Sequence, residues 1–288
     1  MLSQQQLLAT ATRRRSLRSL RQQYDLYVMD RIEHYKNSIP RAELLRLASD
    51  AMGDLGDSGS EPQLSLTEMV MQEVVDARIK RILGVKSFET WRKYFPKLRA
   101  GQRDPIHWGL DAGHLVAGLA PRVEPDDPIL VVGSGAEACA YLLAAHEACV
   151  TYLARDFGAV ERAEHRVADE SLSSTFQAIC VQFGKWLPCV PPGFVLVVID
   201  AGTLSLLSPG ERRVLMSELQ DLTAPGGLHA LVPDALGTGP EGFAGYYATW
   251  SREQMPPSGR RARGTALRGA LFVRPQAQTE QERHDARA

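Results

Sequence analysis

The sequence predicts an α/β protein, a mostly parallel sheet flanked by helices, preceded by an all-helical region. Three observations carry that expectation. Short runs of buried-type residues, 129 to 132 and 194 to 199, have the length and composition of strands covered on both faces. The first run ends at Gly133-Ser134-Gly135 and passes through a small-residue helix into a second apolar run at 150 to 153. Before about residue 105, apolar residues instead recur every three or four positions.

Composition bounds the answer before any motif does. At 288 residues the chain holds one large domain or two modest ones, and 44% hydrophobic with 23% charged residues is ordinary for a globular protein. No apolar run is long enough to span a bilayer, and the N-terminal arginines are not followed by the apolar stretch of a signal peptide, so no membrane partner and a cytoplasmic location are expected. Cys139, Cys149, Cys180 and Cys189 form no C-x-x-C pair and no Cys/His cluster, which predicts reduced thiols and no metal site. The net charge of −1 conceals basic residues crowded into the first third of the chain.

The elements follow in order. Residues 1 to 22 form a basic arm with Arg13, Arg14, Arg15, Arg18 and Arg21, suited either to phosphate neutralisation or to a solvated helix end. From 23 to 105 the pattern is helical: Tyr24, Val28, Ile32 and Tyr35 share one face, Pro40 interrupts, and Ser65 with Glu68 has capping-box spacing ahead of a helix that stops near Gly84. Between Arg78 and Arg103 nine cations are interleaved with Phe88, Trp91, Tyr94 and Phe95. That pattern suits nucleic-acid binding, or equally an amphipathic helix with its aromatics packed inward.

Residues 106 to 275 are expected to form the α/β unit. A short apolar helix at 106 to 120 brings His107 and His114 toward the glycine turn. Strands are expected at 129 to 132, 150 to 153, 176 to 183, 194 to 199, 228 to 232 and 270 to 273, with Asp200 at the carboxyl end of the fourth, where open α/β sheets place ligands. Residues 276 to 288 form a polar tail expected to be disordered. Gly133 and Gly135 let the backbone approach a ligand closely, ahead of the unpaired amides of a helix N-terminus. No G-x-S-x-G, Walker loop, H-E-x-x-H or paired-carboxylate site is present.

With VVGSG at 131 to 135, AVERA at 159 to 163, VLVVIDAGTLSLL at 195 to 207 and LTAPGGLHALVP at 222 to 233, the chain resembles the class I S-adenosylmethionine-dependent methyltransferases over residues 106 to 275. The resemblance implies a Rossmann-like methyltransferase fold with S-adenosylmethionine as cofactor. It places Gly133, Ser134 and Gly135 beside the methionine moiety, Asp156 at the ribose and Asp200 nearby. It also implies a helical region that caps the cleft and helps select an unidentified methyl acceptor. Should a catalytic base exist, Asp200, His107 and His114 are the candidates by position. The sequence departs from the family at Val131, where an acid is usual, at Glu137, which replaces a small loop residue, and at Ala154, the ribose-acid position. Asp156, two residues on, substitutes for the last. Two alternatives stand beside this reading: a methyltransferase-fold binding or regulatory protein without chemistry, and a dinucleotide fingerprint with Ala138 in place of its third glycine.

Overall fold

The computed structural model describes residues 19–56, 64–172, 175–233, 240–253 and 269–276. The arginines at 13 to 18 and the tail from 277 onward lie outside these residues.

Among the described residues four helices come first: α1 (Leu20–Ser38), α2 (Arg41–Gly56), α3 (Leu64–Ile82) and α4 (Phe88–Gln102). Val28, Ile32, Leu47, Val75 and Ile79 meet in a small core of their own. Of the aromatics of the basic segment, Trp91 and Phe95 pack inward, Phe88 is half-buried and Tyr94 is exposed beneath Lys86. Trp91 and Phe95 are buried with ring centroids 4.2 Å apart, and Tyr24 and Tyr27 of α1 close over Trp91 at 5.4 and 6.1 Å. Arg21 and Arg92 lie over Phe88, and Arg99 over Phe95. Cation–π contacts thus occupy aromatic faces within this segment.

The segment at 106 to 120 is not one helix. A 3₁₀ turn at Pro105–Trp108 ends where Gly109 takes a left-handed φ of 77°, and a five-residue helix, α5 (Leu115–Leu119), follows.

The sheet then forms from β1 (Pro128–Val132), β2 (Cys149–Ala154), β3 (Phe176–Cys180), β4 (Phe194–Asp200), β5 (Thr223–Val232), β6 (Ser251–Glu253) and β7 (Ala270–Val273). Its order is β3-β2-β1-β4-β5-β7-β6. β1 to β5 are mutually parallel, while β7 runs antiparallel to both β5 and β6. Helices α6 (Glu137–Ala145), α7 (Phe157–Asp169), α8 (Ala201–Ser205) and α9 (Pro209–Leu222) make the crossovers.

One core lies under α5, α6 and α7, and a second under α8, α9 and the Pro240–Tyr247 turn. Helix α6 owes its close fit to small residues: Ala140, Ala144 and Ala145 are at most 1% exposed. β6 was not expected, because its three residues are polar and exposed and only its pairing with β7 defines it. β5 begins five residues earlier than expected, with an irregularity in its register opposite Phe194 and Leu196.

The order reverses between β1 and β4, so the carboxyl edge at that point is the expected ligand crevice. The helical region meets the other edge. Arg99 donates to the Ser171 carbonyl, Gln102 to Glu170, and Arg103 to the Ala145 carbonyl and the Glu147 carboxylate. These partners end the descending helices α6 and α7. The contacts described for this region lie at the amino edge of the strands, opposite the glycine turn.

Candidate functional site

The glycine turn leaves β1 with Gly133 at φ 102° and ψ 144°, a conformation reserved for glycine. The Gly133 amide donates to the Leu153 carbonyl at 2.8 Å, which ties the turn to the end of β2. Ser134 and Gly135 are exposed, and α6 starts two residues on.

What approaches the glycines is the protein itself. A Cβ at Gly135 would lie 2.6 Å from Asp200 Oδ1, and one at Gly133 would lie 2.8 Å from Asp200 Cβ. Asp200 is 4% exposed. Its Oδ1 accepts the Gly202 amide at 3.1 Å, while Oδ2 accepts the Thr203 amide at 3.0 Å and the Thr203 hydroxyl at 2.8 Å. The close approach of the β4–α8 turn requires these glycines, and one expectation is corrected: Asp200 is a buried helix cap rather than a base open to substrate.

Asp156 is also a cap. Its carboxylate accepts the Gly158 amide at 3.2 Å and the Ala159 amide at 3.0 Å at the start of α7. Its side chain is 65% exposed, however, so lone pairs remain for further donors. Phe157 follows with 70% of its surface exposed, a residue that the sequence reading passed over. The available signal was an aromatic placed directly after the acid that ends a strand. Ala154 and Val131 are fully buried in strands, so neither family acid position can present a polar group at the edge. Glu137 accepts the hydroxyl of Tyr141, one turn along its own helix, and so is engaged away from the glycine turn.

The two histidines part company. His114 caps α5, with Nδ1 accepting the Val116 amide at 3.2 Å. Helix α5 is at the carboxyl edge: a Cβ at Gly269 would meet Leu115 Cδ2 at 2.8 Å and the Leu231 carbonyl at 2.9 Å. Burial holds the His114 imidazole below its usual pKa, so the ring is neutral at pH 7. Because Nδ1 accepts, the proton resides on Nε2, and the free nitrogen is a donor rather than a base.

His107 is elsewhere. Its Nε2 pairs with Glu170 at 3.1 Å, at the far end of the 13-residue helix α7, about 20 Å along the axis from Asp156. The expectation that it overlies the glycine turn is corrected. The cause is the break at Gly109, which leaves the 3₁₀ turn attached to α4, where the Trp108 indole donates to the Gln102 carbonyl.

Cys139 is wholly buried, and burial together with the Asp200 charge pushes its thiol up to about 12, leaving it protonated and inert. All four cysteines are free. Among the described residues no group of three or more His, Cys, Asp or Glu side chains could hold a metal ion, and no helix is long and apolar enough to cross a membrane.

No family model and no curated protein matches the sequence. Among solved structures the chain is similar to a TehB-like SAM-dependent methyltransferase from Corynebacterium glutamicum (13% identity, 65% of this chain and 97% of that one, TM-score 0.44). It is also similar to the N-methyltransferase NodS from Bradyrhizobium japonicum (19%, 56% and 93%, 0.43) and a SAM-dependent methyltransferase from Aquifex aeolicus (13%, 62% and 97%, 0.44). These likenesses concern fold alone. The strand order is the firmer ground, since an antiparallel β7 inserted between β5 and β6 departs from the all-parallel 3-2-1-4-5-6 order of dinucleotide-binding sheets. The chain has the fold of the class I S-adenosylmethionine-dependent methyltransferases.

Proposed function

We propose that this protein binds S-adenosylmethionine at the carboxyl edge of β1 and β2 and transfers its methyl group to an acceptor. One juxtaposition carries the reading: the exposed Ser134–Gly135 turn stands beside exposed Asp156 and Phe157, on adjacent strands joined by the Gly133 amide. The site residues suit the cofactor. Asp156 has lone pairs free to accept the two ribose hydroxyls, the amides after Gly133 face the same edge, and the Phe157 ring offers a face on which a purine stacks.

The cofactor supplies an already activated methyl, so the protein's share is alignment and exclusion of water. None of the three residues considered as a base is placed to act as one. Asp200 is spent on its cap, His107 pairs with Glu170, and His114 offers an N–H. His114 then serves to hold an acceptor oxygen or nitrogen near β5 by donating to it. An acceptor that loses its proton easily, or carries a free lone pair, needs no more.

A second reading, a binding or regulatory protein that keeps the fold without the chemistry, is favoured by the buried Val131 and Ala154. Calorimetric titration with S-adenosylmethionine and S-adenosylhomocysteine separates the two. Micromolar binding, about −8 kcal/mol, that is lost in Asp156→Ala supports the first; absence of binding to a folded protein supports the second. A nucleic-acid partner in either case would use the exposed Lys93 and Lys97 of α4, since Trp91 and Phe95 are buried. Its mark would be binding that weakens steeply with salt and less steeply after both lysines are replaced by alanine.

A further inference from the structure

A cavity of about 480 Å³ lies between the 3₁₀ turn, α6 and α7, reaching to Glu137 at the start of α6. One wall is aromatic: Trp108 and Tyr141, both nearly buried, stand with ring centroids 5.2 Å apart. The facing wall is α7. That helix carries two stripes of different chemistry. Val160, Ala163 and Val167 point into the core, whereas Arg162, Arg166 and Asp169, at i, i+4 and i+7, line the cavity.

The charges on this wall are unequally satisfied. Arg166 is held at 3.2 Å by Glu170 and lies 5.5 Å over the Trp108 ring. Arg162 reaches only Asp156, at 3.9 Å, with its side chain 64% exposed. Glu137, an acid in the lining, accepts the Tyr141 hydroxyl.

From this geometry we infer a second binding site in the groove between α6 and α7, for a small planar aromatic carboxylate. The ring lies along Trp108 and Tyr141, and the carboxylate takes the guanidinium fork of Arg162. The volume suits a molecule of one or two rings. Gly133, Ser134 and Gly135 do not line this cavity, while Arg162 links it to Asp156.

The test is titration of the full chain with 2-naphthoate, without cofactor, alongside 2-naphthylmethylamine as a probe of the same shape and opposite charge. Saturable binding of the acid, with the amine much weaker, is expected. Arg162→Ala, an exposed change that leaves the core intact, should weaken the acid by about tenfold or more, the worth of a charge-assisted hydrogen bond. In a nitrogen-resolved spectrum the Trp108 indole N–H should move on binding and that of Trp250, packed against His229, should not. No saturable binding to the wild type, equal binding of the amine, or an undiminished Arg162→Ala variant would each overturn the proposal.

Discussion

The turn that leaves β2 and the turn that leaves β4 are built on one plan. In each, an aspartate ends the strand region and accepts the amides two and three residues on: Gly158 and Ala159 for Asp156, Gly202 and Thr203 for Asp200. Their surroundings differ. Asp200 sits behind Gly135 and takes a third bond from the Thr203 hydroxyl, whereas Asp156 stands in solvent beside an exposed Phe157. A local pattern thus identifies a cap, and only the packing of β4 against β1 decides which cap is left with capacity for a ligand.

The difference can be broken from the buried side first. Gly133→Ala forces a side chain into a glycine-only conformation and against Asp200, and is expected to cost about 3 kcal/mol or more in denaturant unfolding. Asp200→Ala strands two helix amides and a threonine hydroxyl in the interior, so a loss of about 2–3 kcal/mol is expected by the same measurement. If Asp200 were instead held open for a ligand, this change would leave stability nearly untouched.

A buried polar network outside both turns provides a pH benchmark. His229 is fully buried, with Nε2 against Thr223 at 2.7 Å and Nδ1 against the Tyr247 hydroxyl at 2.9 Å. Thr223 Oγ1 donates to the Leu219 carbonyl, which leaves Nε2 as the protonated nitrogen and Nδ1 as an acceptor. Burial lowers its pKa to about 3 from an ordinary 6.5. The unfolded chain therefore takes up a proton that the folded chain refuses as pH falls from 6.5 toward 3. Stability should decline by about 1.4 kcal/mol per pH unit over that window from this group. His229→Gln should flatten the slope there.

The exposed cap gives the smallest effect on stability and the most informative one on function. Asp156→Ala is expected to cost about 1 kcal/mol, and Asp156→Asn far less, because asparagine caps about as well. If Asp156 is the ribose acceptor, both should bind S-adenosylhomocysteine more weakly than the wild type. A loss confined to the alanine variant would trace to the cap alone.

Much of this was legible in the sequence. The strands at 129 to 132 and 194 to 199 declare themselves because both sheet faces are covered, which makes every residue apolar. The polar β6 gave no such signal. That Gly135 packs on Asp200 could not be read from residues 65 positions apart before β1 and β4 were known to be neighbours. The position of the helical region was equally hidden. It depends on Arg99, Gln102 and Arg103 reaching the ends of α6 and α7, contacts that no periodicity predicts.

Photochemical cross-linking of labelled S-adenosylmethionine, followed by peptide mapping, tests the central claim most directly. The account predicts saturable label on peptides containing Ser134 and Gly135 or Asp156 and Phe157, competed by S-adenosylhomocysteine and reduced in Asp156→Asn. Label that does not saturate, or that maps only to the α6–α7 groove or the helical region, would contradict it.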